Sequence, residues 1–88
     1  MDILVKSYYQ IKKRRIMIMK VWKILDFKAE QGVACYVKVD ESVFDSSWYA
    51  LQLARKTINK DLCTTQLLDT NRGEQMIENI PVLEYKEV

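Results

Sequence analysis

The sequence predicts a small α+β domain in which two antiparallel hairpins build one sheet and a single helix packs on one of its faces. Three observations lead there. The middle of the chain alternates apolar and polar residues with a period of two. One later stretch switches to steps of three and four. A short loop ending in glycine, "EQG" before the helical stretch and "NRG" after it, sits on each side of that helix, so the chain reads ββαββ.

The first hairpin rests on "KVWKILDFKA" and "VACYVKV". In the second of these, Val33, Cys35, Val37 and Val39 share one face and Ala34, Tyr36 and Lys38 the other. In the first, Val21, Leu25 and Phe27 share a face, with Trp22 and Ile24 opposite. If "EQG" is a three-residue loop with Gly32 at positive φ, Ala29 pairs with Val33, Phe27 with Cys35 and Leu25 with Val37. That register aims Trp22, Ile24 and Tyr36 away from the helix.

The helix is predicted within "DESVFDSSWYALQLARKTINKD". Trp48, Leu51, Ala54, Ile58 and Leu62 form its apolar stripe, Asp45 its N-cap, and Phe44 a staple against Tyr49. Arg55, Lys56 and Lys60 complement the negative end of its dipole. Beyond it, "CTTQLLDT", "NRG" and "EQMIENIPVLEY" read as the second hairpin. Pro81, which has no amide proton, requires that its strand lie at an edge or begin there.

The chain has 88 residues, 49% of them apolar and 30% charged, which fits one folded domain with a small core. Its +2 net charge is unevenly placed. Residues 1–18 hold Lys6, Lys12, Lys13, Arg14 and Arg15 against Asp2, a net of +4, so the remaining residues carry −2. Residues 1–18 therefore read as a basic N-terminal arm or extra strand, and 19–88 as the domain, with Met17 and Met19 as candidate starts. Lys20, Lys23, Asp26 and Lys28 interrupt the apolar run after the basic block, which argues against a secretory signal or membrane span and for a cytoplasmic protein.

Little in the sequence supports catalysis. There is no histidine, and both glycines are assigned to turns, which leaves no phosphate-binding loop. Cys35 and Cys63 fit reduced packing residues better than nucleophiles or zinc ligands. Asp40, Glu41 and Asp45 lack calcium-loop spacing, and Glu74, Glu78, Glu84 and Glu87 mark a solvent face. No cofactor or metal site is expected.

Aromatic content points instead to binding. Two Trp, five Tyr and two Phe exceed what so small a core needs, and adjacent Trp48 and Tyr49 cannot both face inward on a helix. The sequence thus predicts a non-enzymatic protein-binding module, a small inhibitor or adaptor of phage or mobile-element type, that forms a homodimer or holds a protein partner. Trp22, Tyr36, Trp48 and Tyr49 are its candidate contacts. One alternative is a nucleic-acid-binding regulator that uses Lys12, Lys13, Arg14 and Arg15. The other is a binder of an anionic small molecule.

Overall fold

The structure, a computed structural model, describes residues 18–87. Strands β1 (Met19–Leu25), β2 (Val33–Asp40), β3 (Thr64–Leu67) and β4 (Val82–Glu84) form one sheet in the order β3-β1-β2-β4, and helix α1 (Ser46–Thr57) packs against it. The α+β class is as the sequence predicts, with one helix among the described residues covering the sheet. The sheet, however, is mixed: β1 runs antiparallel to β2 and β3, whereas β4 lies parallel to β2.

Only the first hairpin forms. After β3, a short 3-10 turn at Thr70–Arg72 ends on Gly73, and the chain then crosses to the far edge of the sheet before β4 begins. Asp69 stops β3 from turning back, because its carboxylate accepts the Asn71 and Arg72 N–H groups and winds the chain into that turn. β4 runs in the same direction as β3, so the chain must cross back along the sheet between them, and residues 68–81 supply that crossover. Pro81 immediately precedes edge strand β4, where its missing N–H costs no ladder bond.

The register of the first hairpin differs from the expected one. The turn starts at Asp26, which donates its N–H to the Gly32 carbonyl at 3.0 Å and accepts the Lys28 N–H on its side chain. β1 therefore ends before Phe27, which is 86% exposed in the loop. Pairing is Leu25 with Val33, Ile24 with Cys35 and Trp22 with Val37, with a register shift between Ile24 and Leu25. That shift sends Trp22 and Ile24 to the helix side, reversing the predicted faces of β1.

The core lies between this face and α1, and contains Ile24, Cys35, Val37, Val39, Val43, Ala50, Ala54 and Leu62. α1 turns Ser46, Ala50 and Ala54 inward rather than Trp48 and Ile58. These small residues, one turn apart, let the helix approach a sheet surface already filled by Trp22 and Ile24. Asp45 occupies the N-cap position with φ of 56°, and its side chain caps nothing. Phe44 is 85% exposed and staples nothing. Arg55 and Lys56 do occupy the last turn, and the Arg55 guanidinium donates to the Leu62 carbonyl.

The second sheet face is covered by the crossover. Tyr36 is 1% exposed there, its hydroxyl accepting the Ile77 N–H and its own N–H donating to the Pro81 carbonyl. Glu74 of the crossover pairs with Lys23 at 2.7 Å. Among the described residues no helix is long and apolar enough to cross a membrane.

Candidate functional site: an aromatic row beside an acidic hollow

The four aromatics singled out in the sequence separate into three environments. Trp22 is half-buried on the helix side, with its indole N–H donated to the Ser46 hydroxyl at 3.0 Å. Tyr36 lies buried on the opposite face. The shared exposed face predicted for these two residues does not exist, because the slip in β1 moved Trp22 and the crossover covered Tyr36. Trp48 is exposed, and Tyr49 beside it is half-buried against the core.

Trp48 is 56% exposed and meets Tyr49 edge to face, with ring centroids 5.0 Å apart. Tyr49 in turn packs on Tyr85, again at 5.0 Å and tilted by 33°. The three rings make a continuous row from the first turn of α1 to the residue after β4. Tyr85 is fixed there because its N–H donates to the Lys38 carbonyl, which extends the parallel ladder past Glu84. Sequence reasoning overlooked Tyr85. The sequence signalled only that Leu83 and Tyr85, which alternate with Glu84 and Lys86, share a face.

Tyr85 also forms one wall of a hollow of about 500 Å³ at this end of the sheet. Met19, Val43 and Tyr85 give it apolar lining, and among the described residues Asp40, Glu84 and Glu87 bring carboxylates against one cation, Lys86. The Ser42 backbone N–H, with the Ser42 side chain, holds the Asp40 carboxyl below its ordinary pKa, so it stays ionised. Desolvation, then Tyr49 and Glu87, push the Tyr85 phenol upward, so it stays protonated at neutral pH. A second hollow, of about 430 Å³, runs along β1 beyond the end of β3, and no aromatic ring among the described residues lines it.

The remaining candidates stand apart. Cys35 is a buried free thiol, pushed up to about 11 by desolvation, and Cys63 is free and exposed. No group of three or more His, Cys, Asp or Glu among the described residues is arranged to hold a metal ion. Glu74 does not belong to a bare solvent face: Lys23 and the Asp69 N–H both bind it, and they lower its pKa in that order. Lys12, Lys13, Arg14 and Arg15 lie outside the described residues. No protein-family model, curated protein or solved structure matches the chain.

Proposed function

We propose that this protein is a non-enzymatic protein-binding module of inhibitor or adaptor type, and that it engages its partner through Trp48, Tyr49 and Tyr85. The observation that carries this reading is the unbroken row of rings from an exposed Trp48 to Tyr85. Trp and Tyr dominate the energetics of protein interfaces, and a row already packed ring on ring loses little conformational freedom when a partner covers it. Covering a large exposed aromatic gains on the order of 2 kcal/mol. Of the four contacts expected from the sequence, Trp48 and Tyr49 keep that role. Tyr85 joins them, while Trp22 and Tyr36 serve the interior.

Selection of displayed random peptides on the wild-type chain, repeated on Trp48→Ala, tests the reading. The expected result is a set of peptides retained by the wild type and lost by the variant. Failure to recover any Trp48-dependent peptide would remove the reading. Sedimentation of the same two proteins reads out homodimerisation, with Trp48→Ala expected to weaken any self-association.

A further inference from the structure

We propose that the segment bound by this surface is basic: a Lys- and Arg-rich stretch of a protein partner, seated in the hollow between Asp40, Glu84 and Glu87 and lying along the aromatic row. The inference rests on the reading of Trp48, Tyr49 and Tyr85 as a binding surface, and it adds the chemistry of what binds.

Three features of one place favour a cationic occupant. Among the described residues the lining carries Asp40, Glu84 and Glu87 against Lys86, a net of two negative charges. Glu41 and Asp45, both exposed in the turn that joins β2 to α1, add negative charge at the same end of the sheet. Long basic side chains also have apolar stems, for which Met19, Val43 and Tyr85 offer contact while the charged head reaches a carboxylate. Finally, the exposed ring of Trp48, backed by the half-buried Tyr49 and Tyr85, offers a π face on which a guanidinium group stacks. An acidic segment would meet repulsion at every one of these carboxylates, and a purely apolar one would leave them facing it without a partner.

At the opposite end of the sheet, the turn between β1 and β2 carries Glu30 with Lys28 nearby and shows Phe27 as its exposed ring, with no aromatic neighbour within stacking distance among the described residues. Glu30 is therefore a fair control for any effect of overall charge.

The test is fluorescence anisotropy of a labelled oligoarginine peptide and an oligoglutamate peptide of equal length, titrated with the full chain. Oligoarginine is expected to bind, more weakly as salt is added, and oligoglutamate not to bind. Glu84→Gln with Glu87→Gln should weaken oligoarginine binding by about fivefold or more, the effect of losing two exposed charge contacts, and Glu30→Gln should leave it unchanged. Equal binding of the two peptides, or indifference to the double variant, would overturn the proposal. So would much tighter binding after Lys12, Lys13, Arg14 and Arg15 are changed to Gln, since the chain's own basic block would then be the occupant. Trp48-dependent displayed peptides that prove neutral or acidic would defeat this inference and leave the protein-binding reading standing.

Discussion

The Tyr36 hydroxyl accepts the backbone N–H of Ile77 at 2.9 Å, on the face of the sheet that α1 does not touch. This bond makes the crossover from β3 to β4 a second covering layer. It also explains why the largest fully buried side chain of the domain lies outside the helix-side core.

Replacing Tyr36 by Phe keeps the packed ring and deletes the acceptor. The expected cost is about 1 kcal/mol, with faster hydrogen exchange at the Ile77 amide. Tyr36→Ala should cost several-fold more, about 3 to 5 kcal/mol, because it also empties a filled site. Chemical denaturation measures both, and a Phe variant with unchanged Ile77 exchange would mean that the bond does not hold the crossover.

Acid should loosen the same layer. Lys23, followed by the Asp69 N–H, lowers the Glu74 pKa below its ordinary 4.5. A carboxyl depressed in the folded state contributes stability that is present above its unfolded pKa and lost as pH falls through the folded one. Stability should therefore decline below about pH 4.5, and Glu74→Gln should flatten part of that decline while lowering stability at neutral pH. An acid limb identical in the variant would exclude Glu74 as a contributor.

The two thiols should separate kinetically. Cys63, exposed, is expected to alkylate readily in the native protein, and Cys35, fully buried, only on opening of the fold. Because burial raises Cys35 from 9.0 to about 11, the unfolded chain releases this proton first, and stability should fall as pH rises between those values. Mass spectrometry after brief alkylation, with Cys35 modified first, would contradict this.

Three backbone positions allow a signed comparison. Gly32 and Gly73 sit at φ of 77° and 80° with open space where a Cβ would go, so alanine at either should cost roughly 1 kcal/mol through conformation alone. Asp45 holds φ of 56° without a capping bond, so Asp45→Gly should instead stabilise by about 0.5 to 1 kcal/mol. Thermal unfolding gives both signs, and a destabilised Asp45→Gly would show that its side chain contributes something the backbone geometry does not.

These glycines also mark how far the sequence could be read. Their positive φ was legible from residue type, as were the inward face of β2 at Cys35, Val37 and Val39, though not at Val33, whose place Ala34 takes against the core, and the helix from its change of period. The face of β1 was not, because it depends on where the turn starts. Asp26 forms a turn with its own side chain, so pairing begins at Leu25 and not at Ala29. The rotation of α1 was hidden for a different reason: hydrophobicity favoured Trp48, but the bulk of Trp22 on the sheet required Ala50 and Ala54 against it. The second hairpin failed on Asp69, whose side chain converts an apparent "NRG" loop into a 3-10 turn. At the candidate surface, Trp48 and Tyr49 were visible from their adjacency, whereas Tyr85 is brought to them only by the parallel pairing of β4.

The two Trp residues of the chain report separately on the proposed binding surface and on the interior. The indole N–H of Trp22 is tied to Ser46 inside the domain, and that of Trp48 belongs to the exposed end of the row. The decisive measurement is the indole region of a nitrogen-resolved NMR spectrum of the full chain, recorded while a peptide selected on the wild type is added. The Trp48 indole signal should shift progressively with peptide while the Trp22 signal stays in place. Movement of Trp22 with Trp48 unaffected would contradict the assignment of binding to the row from Trp48 to Tyr85.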